Sequence, residues 1–153
     1  MKFKNLSALA LALSAALVGG TAVADTLKFG KPADGVKYRQ SAKFVISQHF
    51  GALGAMANGR APFDAELAKQ NGEVLQTLAA LPWQGFSQVQ EGGKAKPEVW
   101  KEKAKFDGLA ADFQTEAQKL AAAAKTGDLA QLKAAFGPAS QTCKACHDAY
   151  RSR

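Results

Sequence analysis

The sequence predicts an all-α protein folded as an antiparallel four-helix bundle, and three observations carry that prediction. The 153 residues are 47% apolar and rich in alanine, leucine and lysine, with few β-branched runs, a profile that favours helices in a single domain. Four segments place apolar residues at steps of three and four, the repeat of a helix that buries one face. Two short connections and one longer one join these segments, which makes consecutive helices antiparallel neighbours.

The first stretch of the chain reads as a leader outside the bundle. Lys2 and Lys4 supply a positive start, Leu6–Val18 an apolar core, and Ala22-Val23-Ala24 a small-residue cleavage site, the pattern of a secretory signal peptide. The apolar run is 13 residues, whereas a helix that crosses a membrane needs about 20. Residues 1–24 are therefore expected to be removed after Ala24, leaving an exported domain over 25–153 with no membrane span. The formal charge of +7 falls to +5 once Lys2 and Lys4 are lost, an excess that fits a solvated surface.

After a lead containing Pro32 and Gly35, a first helix is expected from about Val36 to Ala57, with Tyr38, Ala42, Val45, His49, Leu53 and Met56 on one face. Asn58-Gly59 stops it, and Ala61-Pro62-Phe63-Asp64 leads into a second helix capped near Asp64. That helix carries Leu67, Asn71, Val74, Leu75, Leu78 and Leu81 and ends at Pro82. Trp83–Lys96 holds Gly85, Gly92 and Gly93 without a regular period, so it reads as the one long loop, a length often tied to function. A third helix should begin near Pro97, a residue suited to a first turn, and present Trp100, Phe106, Leu109, Phe113, Leu120 and Ala121. Gly127 closes it and Asp128 caps the fourth, which carries Leu129, Leu132, Phe136, Cys143, Cys146, His147 and Tyr150. Pro138 lies inside that helix and removes the amide that would bond the Ala134 carbonyl, so a kink is expected there.

The chain concentrates its reactive side chains in this last helix. The only two cysteines, Cys143 and Cys146, are followed at once by His147, the spacing of a c-type haem attachment site. With about 100° per residue, both thiols and the imidazole fall on one helix face. Two thiols can add across the two vinyl groups of haem, and an imidazole nitrogen can reach the iron as its proximal ligand. One covalent haem c per chain, held through Cys143 and Cys146 with His147 on the metal, is the reading this spacing favours.

Three other readings compete: a short-loop disulfide, a thioredoxin-like redox pair, and half of a zinc site. Zinc needs four ligands, and beyond these three the chain offers only His49 or a carboxylate. A redox pair usually follows a strand, and none is visible. Without haem, the remaining protein would be a disulfide-closed helical interaction module. No basic run with interleaved aromatics suggests nucleic acid, whereas the basic surface would suit an acidic redox partner protein. No second acid–base constellation accompanies the motif, so the chain reads as a binding protein and not an enzyme.

Beyond the motif, recognisable blocks are spread along the expected mature chain: Val36-Lys37-Tyr38-Arg39-Gln40, Gln48-His49-Phe50-Gly51, Ala61-Pro62-Phe63-Asp64, Leu81-Pro82-Trp83, Lys96-Pro97-Glu98-Val99-Trp100 and Thr142–Arg151. With the haem motif near the C-terminus, they resemble the cytochrome c′ family, the class II c-type cytochromes of bacterial periplasms. The resemblance implies a haem lying between the helices, His147 as fifth ligand and usually no protein ligand at the sixth position. It implies binding of nitric oxide and often carbon monoxide, displacement of the proximal histidine by nitric oxide, and a role in buffering, carrying or sensing the gas. It places Arg39 near the haem propionates, Arg151 over the proximal face, and Trp83 and Phe86 at the haem edge. Read without it, the two arginines are solvated surface and the two aromatics ordinary core. Many members pair as homodimers through their first two helices, so a homodimer is expected.

One position departs from the family pattern. Where an apolar residue usually faces the open side of the iron, one turn after Arg39, this chain has Lys43. Lys43 could lose its proton and ligate iron, which would make the protein a low-spin electron carrier. It could stay charged and bend to a haem propionate. Or the helix could turn and leave Phe44 or Ala42 in its place. Met56 lies 13 residues beyond Lys43, about 20 Å along a helix, and His49 reads as a packed helix residue, so neither competes as a sixth ligand.

Overall fold

The structure is a computed structural model that describes residues 27–87 and 92–153. The expected leader and its cleavage site after Ala24 lie outside the described residues. Helix α1 spans Pro32–Ala57, α2 Ala65–Leu78, α5 Lys103–Lys125 and α6 Leu129–Tyr150, and two single turns, α3 (Gln84–Ser87) and α4 (Glu98–Lys101), sit between α2 and α5. Among the described residues there is no strand, only an isolated antiparallel bridge between Ala95 and Arg151.

The four long helices close into a ring in which α1 packs on α2, α2 on α5, α5 on α6, and α6 back on α1. Cross-helix pairs give the direction. Arg39 meets Gly85 just beyond the end of α2 while His49 meets Asn71 inside it, so α1 and α2 run antiparallel. Phe106 near the start of α5 stacks edge-on against Tyr150 at the end of α6, so these two do as well. The all-α antiparallel bundle expected from the periodicity is the fold observed.

Local chemistry sets the helix ends. Pro32 occupies the first turn of α1, where its missing amide has no partner to lose. The Asp64 carboxylate accepts from the Leu67 amide at 2.9 Å and opens α2. The Asp128 carboxylate accepts from the Ala130 amide at 2.7 Å and opens α6. Gly127, with φ 70, makes the left-handed turn between α5 and α6 that a side chain would resist. Gly54 permits the closest approach across the ring, since a Cβ there would lie 2.5 Å from Phe136 Cζ.

Several details differ from expectation. The third helix is not continuous from Pro97: the chain breaks at Glu102 (φ −112, ψ 41), which separates α4 from α5. The long loop contains the turn α3, and α2 stops at Leu78, before Pro82. Pro138 lies inside α6, as expected. The buried faces of α1 and α2 match expectation at Leu53, Met56, Asn71 and Leu75 but are shifted elsewhere, with Ile46, Ala68 and Gly72 inside and Val45, Leu67 and Val74 outside. Periodicity finds that one face is apolar, but it cannot tell which of two adjacent apolar rows meets the next helix.

Candidate functional site

At the open end of the ring, near the last turns of α6, the helices enclose a cavity of about 560 Å³, a size typical of small-molecule and cofactor sites. Ile46, Phe50, Phe106 and Phe113 make much of its wall, and no carboxylate among the described residues lines it. Cys143, Cys146 and His147 enter it from α6, as the helical spacing requires. Both thiols are free and half-buried, and burial holds each above its ordinary pKa, so they are neutral thiols. Burial, then the charges of Arg151 and Lys43, hold the His147 imidazole below its ordinary value, with Asp148 opposing them. Such an imidazole is neutral at pH 7 and has a lone pair to offer a metal.

The donor set fits a covalently held haem: two neutral thiols three residues apart and a neutral imidazole share one helix face, against an apolar space large enough for a cofactor. A zinc site would need a fourth ligand, but no carboxylate among the described residues lines the cavity and His49 is paired with Asn71.

The opposite wall comes from α1 and α3. Trp83 and Phe86 line the cavity. Trp83 is anchored by its indole nitrogen donating to the Ala79 carbonyl at 2.7 Å, and its ring meets Phe86, Phe106 and Phe113. Phe86 takes the Arg39 guanidinium over its ring at 4.4 Å. Arg39 itself is only 3% exposed, which overturns the solvated-surface reading. Its two terminal nitrogens donate to the carbonyls of Gly85 and Gly92, each at 2.7 Å. A Cβ on Gly85 would come within 2.8 Å of both Arg39 Cβ and the Gly35 carbonyl, so glycine is what lets α3 lie against α1.

Lys43 also lines the cavity, with Nζ 4.7 Å from the Phe86 ring centre and 5.3 Å from that of Trp83. Phe44 is 64% exposed, so the helix rotation that would have sent Lys43 to solvent is not adopted. Burial lowers the Lys43 pKa, with Cys146 opposing and Arg39 and Arg151 adding to the shift. His49 and Met56 stand elsewhere. His49 Nδ1 donates to Asn71 Oδ1 at 2.9 Å, a tautomer that follows because Asn71 Nδ2 donates to the Leu67 carbonyl. Met56 is buried in the core. Arg151 borders both the main cavity and a smaller one of about 280 Å³, which it shares with His147, Lys94, Ser152 and Arg153.

One residue of the site escaped sequence reasoning. The last four carbonyls of a helix lack intrahelical donors, and in α6 Lys96 satisfies three of them. Its ammonium donates to Asp148 and Ala149, each at 3.1 Å, and its amide to Tyr150 at 3.0 Å. The fourth, His147, accepts from the Arg151 amide at 3.1 Å. Ser152 N donates to the Lys94 carbonyl at 2.9 Å and completes a strap over the helix end. A positive charge here also suits the negative end of the helix dipole. No local pattern could have revealed this, because the carbonyls lie 52 and 53 residues from the lysine.

Comparison with known proteins agrees with this geometry. The family described as cytochrome c′ matches residues 34–151. A cytochrome c′ of Alcaligenes xylosoxydans xylosoxydans is 51% identical over 126 residues, covering 82% of this chain and 99% of the relative. A cytochrome c′ of Rubrivivax gelatinosus is 45% identical over 129 residues, covering 82% and 100%. Among solved structures, the nitric oxide complex of a leucine-to-alanine variant of cytochrome c′ from Alcaligenes xylosoxidans superposes with a TM-score of 0.78 at 51% identity, covering 82% of this chain and 99% of that one.

Proposed function

The chain belongs to the cytochrome c′ family, whose members carry covalent haem c, and from that premise we propose that it binds nitric oxide, and carbon monoxide with it, at a five-coordinate haem. The observation that carries the proposal is the single face of α6 that brings two neutral thiols and a neutral imidazole to an apolar cavity. The haem supplies the iron that takes the gas. In this reading Cys143 and Cys146 fix the ring to α6, and His147 presents its lone pair as the proximal ligand. Trp83 and Phe86 border the ring edge, and Arg39 and Arg151 set positive charge beside the propionates and the proximal face. The apolar walls suit a small neutral ligand.

The protein acts as a gas-binding protein and not an enzyme, exported to the periplasm after cleavage at Ala24. Among the described residues, no helix is long and apolar enough to cross a membrane. It pairs as a homodimer through α1 and α2, where Phe44, Val45, Leu67 and Val74 leave apolar surface exposed. Such a surface is favourable to cover.

A second reading is favoured by one observation, the entry of Lys43 into the cavity with its pKa lowered by burial. A neutral amine there could serve as sixth ligand in a low-spin electron carrier that meets a redox partner protein. The absorption spectrum of the ferrous protein, before and after nitric oxide, separates the two. A broad high-spin spectrum that changes with the gas supports the first. A sharp low-spin spectrum that resists the gas, and turns high-spin in Lys43→Ala, supports the second. An unchanged ferrous spectrum in His147→Ala contradicts both. A chain that keeps no haem through denaturing electrophoresis would instead be the disulfide-closed module.

A further inference from the structure

The wall facing α6 carries a charge for which neutral gas binding has no use. Lys43 Nζ lies over the rings of Phe86 and Trp83, and no carboxylate or carbonyl among the described residues accepts from its three N–H groups. The other cations at the cavity differ. Arg39 already donates to two carbonyls, and Lys94 and Arg151 sit at the border shared with the smaller cavity. Lys43 is therefore a cation turned inward without an anion. Aromatic faces compensate an ammonium less than a charge-assisted hydrogen bond does, and a half-satisfied charge against apolar walls gains most from an anionic partner. A small monoanion at that position would complete the set of donors.

We propose that this cavity binds a small monoanion of the azide or nitrite class in the ferric state of the protein, with Lys43 Nζ donating a hydrogen bond to it. The proposal rests on the haem reading of the same cavity. The ferric porphyrin core carries a net positive charge and the ferrous core none, so the anion is favoured in one oxidation state and the neutral gas in the other. This selectivity comes from a residue that stands where the family pattern has an apolar side chain, so it belongs to this chain and not to the common features of the fold. No bond of the anion is broken and no electron is transferred in this step; it is a binding equilibrium.

The test is an equilibrium titration of the purified ferric holoprotein with sodium azide, and separately with sodium nitrite, read from the Soret band at constant ionic strength in sodium chloride. The expected result is a saturable shift whose affinity falls about ten- to hundredfold in Lys43→Leu and Lys43→Gln, the loss of one hydrogen bond from a charged donor. Lys125→Gln, near the far end of α5, should titrate like the unmodified protein and controls for net charge. Lys43→Gln keeps an unbranched polar side chain, one atom shorter and without the charge, and serves should Lys43→Leu fail to fold. The proposal is overturned if the ferric protein shows no saturable shift, if chloride alone reproduces it, or if both Lys43 variants bind azide within about threefold of the unmodified protein. Nitric oxide titration of the ferrous unmodified protein reports separately on the gas reading, so failure of one is distinguishable from failure of the other.

Discussion

One apolar cluster of the bundle joins Leu53, Leu75, Leu120 and Leu132 with alanines from all four long helices, and a second joins Phe86, Val99, Phe106 and Tyr150. In the first, small and branched side chains interdigitate and the helices come close, as at Gly54 against Phe136 and Gly72 against Ala121. In the second, rings meet edge-on, tilted or stacked, with centres 4.9 to 6.4 Å apart among Trp83, Phe86, Phe106 and Tyr150, and the backbone is cut into the short turns α3 and α4. Leucine and alanine fill space to native density. Rigid rings prop helices apart and leave a cavity between them. The attachment motif straddles the two, with Cys143 packed against the aliphatic cluster and Cys146 against the aromatic one. The leucines and alanines of the first cluster hold the helices, while its Ile46 and Phe113 join the second cluster in walling the cavity.

The contrast breaks if the aliphatic cluster also controls the cavity. Leu120→Ala, at a fully buried position, should cost about 3 kcal/mol of stability, read by denaturant titration, while the absorption spectrum of the folded holoprotein stays as it was. A spectral change as large as that of a cavity-wall variant would show that the two regions are not separable. Gly54→Ala should be the next largest. The new methyl meets the Phe136 ring, and the overpacking, offset by better helix propensity, should cost about 1 to 2 kcal/mol; a gain in stability would mean the ring moves freely.

At the aromatic end the effects are smaller in energy and more specific in kind. Lys96→Met removes the charge that caps α6 and should cost about 1 kcal/mol. With His147 on the iron as proposed, it should also shift the iron–histidine stretching band of the ferrous protein, because the cap holds the last turn that carries His147. Lys96→Arg should restore both readouts, and a stability loss without a spectral shift would make Lys96 a helix cap and nothing more.

The smallest effect is one of pH. The Tyr150 hydroxyl donates to Glu102 at 2.9 Å, and this bond, followed by Lys105, holds the Glu102 carboxyl below its ordinary value. A carboxyl depressed on folding adds stability above its unfolded-state pKa and loses it as pH falls through the lower folded value. The difference in thermal midpoint between the unmodified protein and Glu102→Gln should therefore shrink on acidification below the ordinary carboxylate range. A difference independent of pH would remove the carboxylate from the account.

Much of this architecture was legible along the chain. The apolar face of α5, where Phe106, Phe113, Leu120 and Ala121 are buried as expected, and the caps at Asp64 and Asp128 depend on neighbours within one or two turns. Cys143, Cys146 and His147 share a face for the same reason. The break at Glu102 was not legible, because Lys101-Glu102-Lys103 suits an uninterrupted helix on propensity alone. Val45 and Ile46 are both apolar and adjacent, and only the position of the neighbouring helix selects Ile46 for the core.

By itself, then, the sequence determined the four helices, their antiparallel order and the thiol–thiol–imidazole face, because each follows from spacing within a few residues. Only the tertiary structure decided that Arg39 is buried on two loop carbonyls, that Lys43 turns into the cavity and that Lys96 caps the helix of His147. Each of those three side chains is long and charged, and its lowest-energy place depends on carbonyls and rings brought to it from distant parts of the chain.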